Sequence, residues 1–218
     1  MAGEVVYSMS MEEKRDHNRH LVTEAALELF LERGVDSVTT RDVAEKSGLT
    51  ERSVYRYFYS RSDLVLATTF LFWDRLRARV ELLESDAEYQ KMSGIEQVSF
   101  LFDFYSSMFI DNPNDVRFIL GAEMTLARES VLVEMADRPP GRFEDDTPLA
   151  NAIRTGLADG TVSRDADVRD LYYMYYDAVL GTMQRHVLEP ISEEEKVELL
   201  RRMRHLCAMF ISALRGII

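Results

Sequence analysis

A single cysteine, Cys207, among 218 residues excludes an internal disulfide. The fold must then be held by packing alone, as suits a reducing cytoplasm. Five prolines and ten glycines are too few for a turn-rich β-sandwich or a flexible low-complexity chain. Long periodic segments separated by short breaks predict an all-α protein instead. No apolar run approaches the roughly 20 residues that a membrane span needs, so no membrane partner is expected. The start, MAGEVVYSMSMEEKRD, lacks a basic region followed by an apolar core, so it is not read as a secretory signal. Residues 1–12 are expected to be a loose arm, in which Met1, Met9 and Met11 leave the true start open. A Gly-rich phosphate loop and a nucleophile elbow are also missing, and no cofactor is implied. His17 and His20 lie three apart on a first helix, but no cysteine or third ligand stands near to complete a metal site. Catalysis is therefore not expected, and an α-helical enzyme is kept only as the alternative from another class.

Positive charge is scarce overall, with a formal net charge of −12. It is not evenly spread. The first 65 residues carry 9 basic and 12 acidic groups, and the remainder 17 and 26. Within Arg41 to Arg61, however, five basic residues (Arg41, Lys46, Arg52, Arg56, Arg61) face three acidic ones (Asp42, Glu45, Glu51). That local excess sits in TTRDVAEKSGLTERSVYRYFYSR, residues 39–61. Thr39 or Thr40 can cap a short helix, with Asp42 at capping-box spacing from Thr39. Gly48 can end that helix in the left-handed conformation. Thr50 can cap a second helix, with Leu49 and Val54 placed as a hydrophobic staple. Two short helices joined by a tight glycine turn are the geometry that puts a second helix into a DNA major groove. Val54 and Phe58 would face the core, leaving Arg52, Ser53, Tyr55, Arg56 and Tyr59 near the outer side. Arginine pairs bidentately with guanine, and hydroxyl or aromatic groups reach base edges or phosphates. The plainer alternative at this point is a solvated amphipathic helix hairpin.

The wider segment 19–64, RHLVTEAALELFLERGVDSVTTRDVAEKSGLTERSVYRYFYSRSDL, resembles the amino-terminal domain of TetR-family transcriptional regulators. The landmarks are Ala25-Ala26, Leu29-Phe30, Gly34, Thr39-Thr40, Val43-Ala44, Gly48, the Tyr55-Arg56-Tyr57-Phe58 run, and Arg61 followed by Leu64. The resemblance covers about the first third of the chain. It implies a three-helix DNA-binding domain at 13–60 and a helical ligand-binding and dimerisation domain at 61–218. It also implies contacts to double-stranded operator DNA. Thr40 would touch a phosphate, Arg41 would reach a base, and Thr50, at the start of the recognition helix, is counted with them among the DNA-binding residues. Arg52, Ser53 and Tyr55 would read bases, while Arg56, Tyr57 and Arg61 would hold phosphates. Two departures stand out. Arg61 occupies a position more often lysine, and presents a planar fork in place of a point charge. Arg52 stands where glycine is common, which leaves base preference open.

Beyond residue 60, Ser60 with Asp63 offers a cap for a connecting helix near 61–85. Residues 94–110 are apolar almost all round, as expected of a buried helix. Asp111-Asn112-Pro113 breaks it, and a helix near 114–135 follows, with Gly121 a candidate kink. Residues 137–148 read as a loop, and another helix runs near 147–159 to Gly160. Two final helices, about 166–187 and 192–215, are separated at Glu189-Pro190. One presents Tyr175, Val179 and Met183; the other presents Leu200, Met203, Cys207 and Phe210. Both stripes follow three/four spacing, so each helix has one broad apolar side, facing either its own core or a second copy. The resemblance implies a homodimer built on these two helices. It implies too that a small-molecule effector binds in the second domain and releases a repressor from a palindromic operator. Candidate pocket residues are Trp73, Tyr105, Met108, Phe109, Glu123, Arg128 and Tyr176, although aromatic and methionine stripes at this spacing also serve as plain core. Control by a protein partner, with no ligand cavity, is the alternative within the same class.

Overall fold

The computed structural model describes residues 10–128, 147–186 and 192–217. All regular structure in those residues is helical. In chain order the helices are α1 (Met11–Arg33), a 3-10 turn (Val35–Ser37), α2 (Thr40–Ser47), α3 (Glu51–Tyr57), α4 (Arg61–Glu84) and α5 (Ala87–Lys91). They continue with α6 (Gly94–Asp111), α7 (Pro113–Arg128), α8 (Pro148–Asp159), α9 (Val168–His186) and α10 (Glu193–Leu214). No described helix is long and apolar enough to cross a membrane.

Helix starts follow local hydrogen-bond chemistry. Ser10, Thr39, Ser60 and Ser192 each accept from the backbone N–H three residues on, and Glu13, Asp42, Asp63 and Glu195 reach back to complete capping boxes. These bonds hold the carboxyls of Glu13, Asp42 and Glu195 below the usual carboxylate range. Ser10 caps α1 at Met11, so the helix begins inside the stretch expected to be an arm. The short α5, capped by Asp86, was not expected from the sequence; it lies between the two long segments and carries the buried Tyr89.

Packing divides the chain at α4. Helix α1 packs on α2, α3 and α4, and its Val22, Ala26 and Phe30 form the centre of the first core. Helix α4 then runs on against α7 and α8, while α6 packs between α8 and α10. The α6–α8 crossing is close because both partners are glycines. A Cβ on Gly94 would lie 1.9 Å from the Gly156 nitrogen, so no larger residue fits. Asp159 Oδ2 accepts from the Gly94 N–H at 2.7 Å, and Thr161 Oγ1 accepts from Ile95 N–H at 3.1 Å.

Gly121 does not kink α7, which is continuous across it. A Cβ there would meet Val35 of the 3-10 turn at 3.1 Å, so the glycine serves close packing of α7 on the first domain. Residues 129–135, the loop through 146 and Glu189-Pro190 lie outside the described residues. Five of the seven side chains expected at a dimer interface, Tyr175, Val179, Met183, Met203 and Cys207, are buried against their own chain. Leu200 and Phe210 are partly buried against the same core. The apolar stripes of α9 and α10 thus face inward, and the sequence pattern alone could not tell one core from another. Cys207 lies beside Ser106, Sγ to Oγ 3.9 Å, and burial pushes its thiol up to about 11.

Candidate nucleic-acid interface

The α2–α3 pair is fixed by its turn. Gly48 sits at φ 70° and ψ 20°, left-handed, and the following Leu49 N–H bonds back to Ala44 O at 3.0 Å. Thr50 caps α3, accepting from the Ser53 N–H at 3.2 Å, and its hydroxyl lies 3.1 Å from that of Ser53. Val43, Ala44, Val54 and Phe58 are buried and hold both helices on α1. The same periodicity leaves Arg41, Arg52, Tyr55, Arg56 and Tyr59 exposed, with Thr40 and Ser53 half-buried among them. Tyr55 is 56% and Tyr59 85% exposed, large values for aromatic rings. Such rings on a basic face are suited to contact with bases and sugars.

Two residues expected to hold phosphates are turned inward. Tyr57 is buried, and its hydroxyl accepts from Asn18 Nδ2 at 3.1 Å and from Arg56 at 2.8 Å. Those donors hold its phenol below the ordinary value. The Arg56 guanidinium also lies over the Tyr57 ring, 5.0 Å from its centroid, so Tyr57 positions Arg56. Arg61 donates to Val38 O at 2.8 Å and to Val35 O, and stacks over Phe30 at 5.9 Å. Its planar fork ties the start of α4 to the 3-10 turn, a use of two parallel donors that a lysine could not copy.

Other charged contacts place the motif's frame. Lys46 pairs with Glu28 at 2.8 Å, and Arg33 stands 4.0 Å from Asp42. Asn18 and Arg19, from α1, were missed by the sequence reading. Arg19 lies over Phe58 at 5.2 Å and is exposed beside the motif. The only sequence signal was the pair Arg15 and Arg19, one helical turn apart.

In the second half, the expected pocket residues separate. Trp73 of α4 and Tyr176 of α9 meet with ring centroids 6.1 Å apart. Glu123 of α7 faces Tyr176 and Asp177, and burial, then Asp177, pushes its carboxyl up. Tyr105 is half-buried, within electrostatic reach of Tyr172, Glu84 and Tyr89, and burial raises its phenol. Met108 and Phe109 are core residues. Arg128 is a correction: it is exposed and stands 3.9 Å from Asp36 of the 3-10 turn, so it bridges the two halves from outside. Among the described residues no group of three His, Cys, Asp or Glu could hold a metal ion.

Known proteins share this arrangement. Residues 22–68, which span the first core and the α2–α3 motif, match the family described as bacterial regulatory proteins, tetR family. Over 207 residues the chain is 20% identical to the fatty acid metabolism regulator protein of Bacillus subtilis, covering 94% of this chain and all of that one. It is 29% identical over 165 residues to the HTH-type transcriptional repressor KstR2 of Mycolicibacterium smegmatis, covering 72% and 73%. Among solved structures, RolR in complex with resorcinol superposes with a TM-score of 0.59 at 16% identity, over 93% of this chain and 95% of that one. With the capped helix pair, its left-handed Gly48 turn and its basic aromatic face already in place, these matches show that residues 22–68 form the DNA-binding domain of a TetR-family transcriptional regulator.

Proposed function

We propose that the protein is a homodimeric, cytoplasmic repressor that leaves a palindromic operator when a small molecule fills its second half. The observation that carries the reading is the exposed row Arg41, Arg52 and Tyr55 beside a rigid glycine turn. Residues 10–60 form the reading domain, and residues 61–218 the regulatory and pairing domain. Thr40, Arg41, Arg52, Ser53, Tyr55 and Arg56 touch DNA; Thr50, Tyr57 and Arg61 hold them in place. Pairing uses the outward faces of α9 and α10, which carry the exposed Met174, Val197 and Met209. Gly181 lies on the same side of α9, where an added Cβ would meet nothing within 4 Å. A two-fold dimer sets two recognition helices about 34–36 Å apart or a multiple of that, one per major groove. Repression and effector binding are supported by relatives: KstR2 is a repressor, and RolR holds resorcinol.

The test is selection of bound sequences from a random duplex pool at near-physiological salt. Recovery of a palindrome with half-sites at helical spacing supports operator reading by a dimer. Recovery of unrelated sequences by folded, dimeric protein would overturn it.

A further inference from the structure

Two arginines of α1 stand beside the end of α3 with no carboxylate to neutralise them. Arg15, Asn18, Arg19 and Val22 fall at i, i+3, i+4 and i+7, so they share one face of α1. Val22 anchors that face in the first core, and the three polar residues continue it alongside the end of α3. Asn18 Nδ2 donates to the Tyr57 hydroxyl at 3.1 Å, and Arg56, in the last turn of α3, donates to the same oxygen at 2.8 Å. Arg19 lays its guanidinium over Phe58, 5.2 Å from the ring centroid. The Asn18 bond, then Arg56 and Arg15, hold the Tyr57 phenol below its ordinary value, so Arg15 belongs to the same neighbourhood. All three arginines are exposed.

Other cations that meet α1 and α2 are paired. Lys46 lies 2.8 Å from Glu28, Arg33 lies 4.0 Å from Asp42, and Arg75 meets Glu24, which also stands 3.3 Å from His20. Among the described residues, Arg15, Arg19 and Arg56 form no ion pair. Glu12 and Asp16 follow the neighbouring face of α1 with His20, and Glu13 is occupied in capping the helix. The dipole of α3 attracts a cation to its C-terminal end, which accounts for Arg56. It does not call for two more from a separate helix. Like charges held close repel one another, and an anion set among them relieves that repulsion. A guanidinium already ordered on a ring also loses less freedom when its N–H edge meets a phosphate.

We propose that α1 is a further DNA-contacting element, in which Arg15 and Arg19 join Arg56 to seat one backbone phosphate beyond the bases that face α3. Both α1 arginines lie ahead of residues 22–68, the segment that carries the family match. The contact fixes register and orientation on the duplex and carries no base information. It rests on the reading of α3 as the DNA-facing helix, and widens the interface along the strand.

The test uses the full chain, the duplex recovered by selection and an unrelated duplex of equal length, titrated between about 50 and 200 mM salt. The double variant Arg15→Gln, Arg19→Gln should weaken both duplexes alike and lower the salt slope by about 1, the worth of one phosphate contact. The ranking of single-base operator variants should stay as it was. Arg19→Lys keeps the charge and should keep the slope. Lys91→Gln removes the same charge from α5 and should leave DNA binding unchanged. Ethylation of operator phosphates should reveal an interfering position outside each half-site that the double variant no longer senses. An unchanged slope in the double variant, shown folded by thermal unfolding, would overturn the proposal. So would a loss confined to particular base positions, or one that Lys91→Gln equals. If the double variant binds normally while Arg52→Ala does not, α3 reads DNA without α1; if the native protein binds neither duplex, both readings fall.

Discussion

At the scale of single residues, the candidate interface separates side chains exposed to a partner from side chains tied into the fold. Arg52 and Tyr55 are exposed on α3, and replacing either with alanine should cost about 1–3 kcal/mol per lost base contact and relax preference at one position. Competition between single-base operator variants measures this; an equal loss on every sequence would contradict it. Arg61 belongs to the other class. Its fork serves two backbone carbonyls and a ring, so Arg61→Lys should lower folding stability by about 1–3 kcal/mol while leaving the salt dependence of DNA binding unchanged. Urea unfolding and a salt titration test the two halves of that statement separately. The sequence made Arg52 and Tyr55 legible because helical period alone sorts α3 into inner and outer sides. It could not show where Tyr57 and Arg61 point. Asn18, the 3-10 turn and Phe30 are distant in the chain, and only the tertiary fold brings them there.

At the scale of elements, capping residues carried most of the legibility. Thr39, Thr50, Ser60 and Ser192 announce their helices because each satisfies backbone donors locally, without help from the rest of the fold. Faces were less legible. Tyr175, Met203 and their neighbours have the same spacing whether they meet their own core or a partner, and here they meet their own. The glycines of α6 and α8 were likewise silent until the two helices crossed. Gly94→Ala should destabilise the protein by about 1–3 kcal/mol or more, through overpacking, with thermal unfolding as the readout. The α7–α9 contact adds a pH signature. Glu123 has a raised carboxyl in the folded state, so it binds its proton more readily folded than unfolded. Relative to Glu123→Gln, the native protein should therefore lose stability as pH rises from about 4 toward neutrality, the ordinary carboxylate range. Below that range the difference should be constant. A difference that grows in the opposite direction would show that Glu123 is held ionised by a cation.

At the scale of the whole molecule, charge and architecture act together. A chain of net charge −12 whose local basic excess is confined to one motif has little general attraction for DNA. Its binding should show a smaller salt slope than the roughly 6–10 phosphate contacts of strongly cationic regulators produce. Operator titrations between about 50 and 200 mM salt measure the slope, and a steep one would mean that acidic surfaces lie far from the DNA. The 3-10 turn at Val35–Ser37 bears on the same architecture. Arg61 grips it from α4, while Gly121 and Arg128 meet it from α7. The turn is thus a short link gripped from both α4 and α7, beside the direct packing of α1 on those same two helices. In a two-fold pair, a shift of α7 that reached this link would be handed to both DNA-facing domains alike.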